Sequence, residues 1–438
     1  MSTILQNANE KIGKYRWTIC ALLFFATTVN YLDRQVLSLL QPLLSEKFNW
    51  SNSDYANIAS VFQMVYAVAM LFAGRFIDWA GTKKGYAWAI TLWWVCAVGH
   101  AFAVGIGGVV SPLLSVIGIV LPISVVGFMF GRMVLAIGEA GNFPAAIKTV
   151  AEWFPKKERS LATGIFNSGA NIGAILAPLT VPWIAAHLGW ESAFIIVGGV
   201  GFLWLIFWFL YYDSPEKQLK KGKITQAEYD YIHSDKEEFA ELPKDATVKE
   251  KVSWFKLLTY RQTWSFFFGK FLTDGVWWFF LFWLPAYLKA TYQIEGTEIM
   301  LPLTVLYSMT MVGSIGGGWF PAYFMNKGMD AYKARMTAMF IIALFPLAVL
   351  VAQPLGGISM WFPVIVIGIG ASAHQAWSAN IFTTVSDMFP KKAVASVTGI
   401  GGMAGGIGGV IITKVAGRLF DHYEALGHVE TGYTIMFA

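Results

Sequence analysis

The sequence Phe154-Pro155-Lys156-Lys157, followed by Thr163-Gly164-Ile165, recurs as Phe389-Pro390-Lys391-Lys392, followed by Thr398-Gly399-Ile400. Both parts of the motif repeat at an offset of 235 residues, and each copy joins two long apolar segments. Self-similarity at a fixed offset indicates a repeated structural unit. The sequence therefore predicts two halves of the same topology, with a binding site at the membrane midplane between them.

The composition is that of an integral membrane protein. Of the 438 residues, 56% are hydrophobic and 13% are charged, whereas soluble proteins carry roughly 25% charged residues. The first apolar run is long enough to span a membrane and lacks a small-residue cleavage site, so it is not a removable signal peptide. Cys20 and Cys96 lie in apolar runs and predict neither a disulfide framework nor a metal site.

Apolar segments long enough to cross about 30 Å of hydrocarbon predict an all-α membrane protein with spans on both sides of a polar linker. The predicted spans are 16–40, 55–77, 86–106, 116–145, 160–185 and 191–212, and then 264–290, 299–326, 335–353, 359–387 and 393–417. This divides the chain into an N-terminal six-helix bundle (1–212), a linker (213–261) and a C-terminal bundle (262–438). The second bundle has five helices and the start of a sixth at 431–438, so a twelfth helix is predicted to be missing.

Basic residues predict the orientation of these spans. Lysine and arginine concentrate before the first span, in the loops after spans 2, 4, 8 and 10, and in the linker, whereas the opposite loops hold few. Positive residues mark the cytoplasmic side of a membrane protein. We therefore expect the N-terminus and the linker to be cytoplasmic in a multi-pass protein of the bacterial inner membrane.

Ionisable residues stand inside two of the predicted spans. Asp33 and Arg34 follow Tyr31 in span 1, and Glu139 lies in span 4 seven residues after Arg132. A charge at membrane depth is a functional-site hypothesis by default. Burial disfavours the charged form of Glu139, which would let it bind and release a proton near neutral pH. The structural alternative is a closed salt bridge between Arg132 and an acid.

The second half contributes a cation and a set of polar and aromatic candidates. Lys270 lies in an apolar run of span 7, and an arginine and a lysine from opposite halves would suit an anionic substrate. Because Lys270 is only nine residues past Arg261, snorkelling to the cytoplasmic end is the alternative. Sugar rings bind against aromatic faces with polar groups at the rim. The further candidates are Tyr31, Tyr66, Trp277, Trp278, Trp377, Asn30, Gln63, His374, Gln375, Ser378 and Asn380.

The loop between spans 2 and 3 reads Gly74-x-x-x-Asp78-x-x-Gly81-x-Lys83-Lys84. This pattern resembles the signature of the major facilitator superfamily. Gly74 would permit close helix contact, Asp78 could cap another helix and pair with a base, and Lys83 and Lys84 would hold the cytoplasmic side. At Trp79 the family usually has a basic residue, which leaves one gating charge pair in doubt.

Three further stretches resemble the anion–cation symporter family, and within it the bacterial hexuronate transporters. They are Gly81-Thr82-Lys83-x-Gly85-Tyr86-Ala87, Glu152-Trp153-Phe154-Pro155-x-Lys157-Glu158-Arg159-Ser160 and Ala373-His374-Gln375-Ala376-x-Ser378. The resemblance implies that Arg34 binds the substrate carboxylate and that Asp33 and Glu139 carry protons. Arg132 and the loop residues then have gating or structural roles.

The sequence therefore predicts a proton-coupled secondary transporter that imports an anionic sugar acid, most of all a hexuronate. An aldonate symporter or an organic-anion exchanger using the same arginine is the alternative within transport. A membrane receptor that binds the acid without moving it is a different class. We expect no enzyme activity, no cofactor besides the coupling proton, no metal and no nucleic-acid partner, and a monomer in the lipid bilayer.

Overall fold

The computed structural model describes residues 12–50, 52–116, 118, 120–234, 254–293 and 300–437, and long helices dominate them. The first half consists of α1 (Tyr15–Phe48), α2 (Asn52–Ala80), α3 (Thr82–Gly99), α4 (Ala103–Ser115), α5 (Ile123–Glu139), α6 (Asn142–Trp153), α7 (Lys156–Leu188) and α8 (Trp190–Tyr211). A 3-10 turn (His100–Phe102) joins α3 to α4. The helices of predicted spans 3 and 4 are thus each broken once.

The linker and the second half follow in the same order. The described part of the linker holds α9 (Pro215–Lys220), α10 (Gln226–Ile232) and α11 (Trp254–Leu257), while residues 235–253 of the predicted linker lie outside the described residues. The second half consists of α12 (Arg261–Tyr292), α13 (Met300–Asn326), α14 (Ala331–Ile342), α15 (Ala352–Gly356), α16 (Trp361–Met388), α17 (Lys391–Ala425) and α18 (Val429–Phe437).

Three predicted spans had wrong bounds. Span 4 was placed at 116–145, but Gly118 adopts φ +78, and Pro122 precedes the first turn of α5, so helix starts only at Ile123. Span 3 was placed at 86–106 and extends to Ser115. Span 9 was placed at 335–353, but α14 ends at Ile342 and the chain continues as a 3-10 helix over Phe345–Val351, because Pro346 cannot donate an α-helical hydrogen bond.

Seven helical stretches of the described chain are long and apolar enough to cross a membrane by length and composition. Other helices of similar length, such as α1 with Asp33 and Arg34 and α16 with His374 and Gln375, carry polar side chains at mid-length. These side chains lower the mean hydropathy of helices that pack inside the bundles. The helices with the most polar centres therefore surround the interior.

The two halves touch along two helix pairs whose backbones approach closely. A methyl group at Gly74 of α2 would overlap the carbonyl of Ala395 on α17, and one at Gly164 of α7 would overlap the carbonyl of Ser314 on α13. Small residues let membrane helices pack backbone to backbone. The interface is therefore tightest at the end of the bundles that carries the linker, which we call the linker face.

The linker is anchored to the first half at this face. Arg16 pairs with Glu158 at 2.8 Å and with the buried Glu228 of α10 at 3.4 Å. Burial raises the pKa of the Tyr231 hydroxyl, and its hydrogen bond to Glu158 raises it further. The first part of the linker is therefore docked on α1 and α7.

Asp213 forms a second anchor, at the end of α8. Its carboxylate lies 3.1 Å from Lys83 and 2.9 Å from Lys221. Burial alone would raise the pKa of Asp213, but the hydrogen bonds and charges of the two lysines outweigh burial and lower it to about 2. This acid is therefore ionised at neutral pH and ties the linker to the first turn of α3.

Candidate functional site

A cavity of about 70 Å³ lies between the two halves, near the middle of the long helices. Its lining comes from α1, α2, α6, α7, α12, α16 and α17, and consists of Tyr31, Arg34, Tyr66, Met70, Phe143, Asn167, Lys270, Asp274, Trp277, Trp278, His374, Gln375, Ser378, Phe382, Gly402 and Gly406. Ligand pockets usually enclose about 300–1,000 Å³. The cavity must therefore widen before it can hold a sugar-sized molecule.

Arg34, on the first-half wall of this cavity, forms a buried ion pair with Glu139, which lies outside the lining. Arg34 Nε donates to Glu139 Oε2 at 2.7 Å, and the Glu139 side chain has no exposed surface. The guanidinium lies over the ring of Tyr66, at 4.6 Å from its centroid, and beside Tyr31 at 5.2 Å. Its Nη2 atom is buried and makes no hydrogen bond to a described residue, so one edge of the fork remains for another acceptor.

Asp33 and Arg132 lie behind this pair, outside the cavity lining. Asp33 is buried with Glu139, Trp93 and Arg132 as its polar neighbours. Arg132 Nη2 approaches the backbone carbonyl of Arg34 at 3.5 Å. The two acids and two arginines predicted from the sequence therefore form one cluster, in which Glu139 lies within salt-bridge distance of Arg34.

A second charge pair stands on α12 at the opposite wall. Lys270 Nζ lies 2.7 Å from Asp274 Oδ1, one helical turn further along, and the ammonium lies over the ring of Phe382 at 4.1 Å. Lys270 is 4% exposed and lines the cavity, which excludes the predicted alternative of snorkelling. His374 Nε2 lies 3.9 Å from the same Asp274 oxygen.

The internal repeat relates the two walls. A methyl group at Gly173 of α7 would overlap the carbonyl of Thr28, and one at Gly408 of α17 would overlap the carbonyl of Phe271. The two glycines are separated by the repeat offset of 235 residues. Thr28 of α1 and Phe271 of α12 are therefore equivalent positions.

This equivalence places corresponding residues at the cavity. Six residues beyond Thr28 and Phe271 stand Arg34 and Trp277, and the repeat offset carries Glu139 to His374. Where the first half has the Arg34–Glu139 ion pair, the second half has Trp277 stacked on His374, with centroids 5.8 Å apart and planes at 8°. At the equivalent positions, the second half thus has two stacked rings where the first half has an ion pair.

Several buried polar atoms of the site lack a hydrogen bond to any described residue. They are Arg34 Nη2, Asp33 Oδ2, Glu139 Oε1, His374 Nδ1 and both side-chain atoms of Asn30. Buried polar groups are satisfied in most native structures, and exceptions call for a functional explanation. Their concentration beside the cavity fits a site that takes up a polar ligand and protons.

The remaining predicted ligands divide between the cavity and the protein interior. Trp278, Gln375 and Ser378 line the cavity, and Gln375 accepts a hydrogen bond from Asn167 across the two halves at 2.7 Å. Asn380 is a correction, because it lies outside the lining and its amide donates to Gly317 and Ala376 carbonyls. Trp377 and Gln63 are also outside the lining.

The predicted gating loop meets the second half at the linker face. Asp78 Oδ2 accepts hydrogen bonds from the backbone nitrogen and the hydroxyl of Ser396, at 2.8 and 2.6 Å, near the start of α17. Its other oxygen pairs with Lys148 at 3.0 Å. Gly81 has φ +79 and begins the turn into α3, Trp79 is exposed, and Lys84 is exposed beside the partly buried Lys83.

A second inter-half contact closes the same face. Asp387 at the end of α16 pairs with Arg159 of α7 at 3.2 Å and with Arg335 of α14 at 2.7 Å. Arg159 also donates to the carbonyl of Ser386 at 2.7 Å. These contacts and those of Asp78 hold the linker ends of the halves together in this conformation.

Sequence reasoning missed three charged residues of this arrangement. Asp274 could have been found from its spacing, because it stands four residues after Lys270 on one helix face. Asp387 could have been found from the repeat, because it is the counterpart of Glu152. Lys148 gave no comparable signal, since its pairing with Asp78 depends on how α6 crosses α2.

Two helical bundles around a polar cavity, with an ion pair at mid-membrane, define a membrane transport protein. A model of the Major Facilitator Superfamily matches residues 23–413. The chain therefore belongs to the major facilitator superfamily, as the loop after span 2 predicted, and the prediction of its fold is confirmed.

Individual relatives show which transporters of the superfamily the chain is similar to. The chain is 31% identical over 417 residues to the hexuronate transporter of Escherichia coli K12, covering 94% of this chain and 89% of that protein. It is 28% identical over 419 residues to the D-galactonate transporter of Escherichia coli O6:H1, covering 94% and 91%. Its fold is similar to that of the proton:xylose symporter XylE, with a TM-score of 0.68, 14% identity and coverage of 97% and 92%. The predicted resemblance to hexuronate transporters is confirmed.

Proposed function

We propose that the protein imports an anionic sugar acid, a hexuronate, together with protons, by alternating access of the cavity between its two halves. The observation that carries this proposal is that Arg34 lies on the cavity wall and pairs with the buried Glu139. A guanidinium binds a carboxylate through two parallel hydrogen bonds, and Arg34 Nη2 makes none with a described residue. The relatives named as hexuronate and D-galactonate transporters support the substrate class.

The cavity supplies the other features of a sugar-acid site. Tyr31, Tyr66, Trp277 and Trp278 offer aromatic faces, and Gln375, Ser378 and His374 offer polar atoms at the rim. The substrate carboxylate binds Arg34, and the ring lies toward α12 and α16. Lys270 and Asp274 then face the hydroxyl groups at the far end of the sugar.

Coupling follows from competition for Arg34. While Glu139 is ionised it occupies the Nε side of the guanidinium at 2.7 Å. A proton on Glu139 removes the competing charge and leaves both edges of the fork to the substrate. Asp33, buried in the same cluster, takes a second proton, so that the loaded first half carries one net positive charge as it rocks past the second half.

Access alternates because the halves close at one end. In this conformation the contacts of Asp78 and Asp387 join the halves at the linker face, which the basic residues of the loops assign to the cytoplasm. The substrate therefore enters from the opposite side. Breaking these contacts opens the cytoplasmic route, and loss of the protons restores the Arg34–Glu139 pair and expels the substrate.

The test is uptake of labelled glucuronate into proteoliposomes under an imposed inward proton gradient. We expect gradient-driven accumulation by the wild type, its loss in Arg34→Ala and Glu139→Gln, and weaker accumulation in Asp33→Asn, which keeps the Glu139 proton. Arg34→Lys is the matched control, because it keeps a charge opposite Glu139 but loses the bidentate fork; we expect weak binding from it with normal folding. A wild type that accumulates no hexuronate would refute the substrate assignment.

The alternative within transport is an aldonate symporter, which the D-galactonate transporter relative favours. Competition distinguishes the two. Unlabelled galacturonate should block glucuronate uptake at lower concentration than galactonate if the site is built for hexuronates, and the reverse order would favour the aldonate.

A further inference from the structure

We propose that Asp274 is a specificity-determining residue that restricts the site to sugar acids with one carboxylate. It does so by pairing with Lys270, the only cation that the described part of α12 presents to the cavity. The inference rests on the proposed sugar-acid transport and adds which end of the substrate each half of the protein binds. It assigns Arg34 to the carboxylate and the Lys270–Asp274 pair to a neutral hydroxyl end.

The first observation is that the Lys270–Asp274 pair is built into one helix. Lys270 Nζ and Asp274 Oδ1 are 2.7 Å apart and four residues apart on α12. Neighbours at this spacing meet on one helix face. Their contact therefore does not depend on how the two halves move, in contrast to the inter-half contacts of the linker face.

The second observation is that the pair is held inside the protein yet reaches the cavity. The side chains of Lys270 and Asp274 are 5% and 17% exposed, and both residues line the cavity. The other carboxylate oxygen, Oδ2, points at Gly405 of α17, where a methyl group would overlap it. Gly405 thus makes room for an acid at this wall.

The third observation concerns the charges that face Asp274. His374 Nε2 of α16 lies 3.9 Å from it, and Tyr31 and Tyr66 line the same cavity from the first half. Arg34 and Lys270 are the only arginine and lysine among the described residues that line the cavity. Asp274 cancels the charge of Lys270, so that Arg34 is left as the anion-binding group once a proton on Glu139 has removed the charge that competes for it.

These observations separate two classes of sugar acid. A monoacid presents a hydroxyl to the pair, which donates to Asp274 and accepts from Lys270, so that every group is satisfied. A diacid presents a second carboxylate, which meets the Asp274 carboxylate in a poorly solvated site where like charges repel strongly. Removing the charge of Asp274 would leave Lys270 free to bind that second carboxylate.

The experiment compares galactonate and galactarate, six-carbon chains that differ only in a terminal hydroxymethyl or carboxylate group, as competitors of labelled glucuronate uptake. We expect the wild type to be blocked by galactonate at lower concentration than galactarate. In Asp274→Asn, galactarate should gain roughly 10- to 100-fold in potency, the range that a charge-assisted hydrogen bond supplies. Lys270→Gln/Asp274→Asn is the matched control and should lose this gain.

Ligand-dependent thermal stabilisation of the purified protein gives a second readout that does not require uptake. Galactarate should raise the melting temperature of Asp274→Asn more than that of the wild type. Asp274→Ser, whose small hydroxyl fits beside Gly405, replaces the asparagine variant if that variant does not fold. Unchanged galactarate potency and stabilisation in a folded variant, or a gain that persists in the double variant, overturns the proposal. A wild type that neither takes up nor binds glucuronate refutes the proposed function instead.

Discussion

At the scale of single residues, the Arg34–Glu139 pair combines substrate binding and proton binding in one contact. A buried ion pair adds little to stability over an apolar pair of the same volume. Arg34 itself lies on the cavity wall with one guanidinium edge unused by described residues, as a binding site requires. Glu139 controls whether Arg34 is available.

Glu139→Gln should therefore uncouple transport from protons while leaving exchange intact. A neutral glutamine mimics the protonated acid, so Arg34 stays available on both sides of the membrane. We expect counterflow of labelled substrate within about twofold of the wild type, since the favourable contact is kept, and no accumulation driven by a pH gradient. Arg34→Ala should lose both activities. Equal loss of counterflow and accumulation in Glu139→Gln would contradict this role.

The charged and polar residues of the candidate site could be predicted from the sequence to different degrees. The side chains of Asp33, Arg34 and Glu139 are energetically costly to bury at membrane depth, so their presence there identifies them as candidate functional residues. Asp274 also lies at that depth but was overlooked beside Lys270. Asn380 was wrongly placed in the cavity, because only packing shows that its amide bonds the Gly317 carbonyl at 2.8 Å.

At the scale of helices, glycines decide how closely the two halves can approach. A methyl group at Gly318 of α13 would overlap the carbonyl of Ser160 on α7, whereas one at Gly316 would meet no atom within 4 Å. The same helix thus offers a contact glycine and a free glycine two residues apart.

Gly318→Leu should hold the linker face open, and Gly316→Leu should not. Overpacking of a tight contact costs about 1–3 kcal/mol, which shifts the balance of closed and open forms roughly 5- to 100-fold. A cysteine at the buried inter-half position Thr163 should then react correspondingly faster with a membrane-impermeant thiol reagent from the linker side. Equal reaction rates in the two leucine variants would show that this contact does not limit opening.

The linker anchor gives a prediction about pH. Because the folded pKa of Asp213 is lowered from 3.8 to about 2, its contribution to docking is fully present above pH 4 and disappears as the pH falls toward 2. The hydrogen-exchange protection of residues 213–221, measured relative to the intrinsic amide rate at each pH, should fall over that interval. Asp213→Asn should exchange fast at neutral pH and show no such transition; a transition that persists in this variant would assign it to another group.

Helix order was largely predictable because hydropathy and the repeat fix it, whereas the breaks within helices were not. Apolar residues fill both the helices and the sequence between α4 and α5, so hydrophobicity could not separate them. The turn follows from Gly118 at φ +78, and the 3-10 segment of Phe345–Val351 follows from a proline. Local backbone chemistry, not hydropathy, sets these bounds.

At the scale of the whole molecule, the interior charges balance. Around the cavity the described charged residues are three bases, Arg34, Arg132 and Lys270, and three acids, Asp33, Glu139 and Asp274. A buried region in low dielectric tolerates little net charge. A monoanionic substrate therefore needs at least one proton to accompany it, and protonation of both Asp33 and Glu139 would move one net positive charge inward per cycle.

This charge movement makes transport sensitive to membrane potential. With two protons per monoanion, an inside-negative potential of 100 mV contributes about 2.3 kcal/mol, which supports roughly 50-fold accumulation without a pH gradient. Proteoliposomes with a valinomycin-imposed potassium potential at equal pH measure this directly. Asp33→Asn removes one titratable acid and should make transport electroneutral, so that a pH gradient still drives uptake but the potential does not. A wild type that responds to the pH gradient and ignores the potential would show that one proton moves per cycle, and that only one of the two acids carries it.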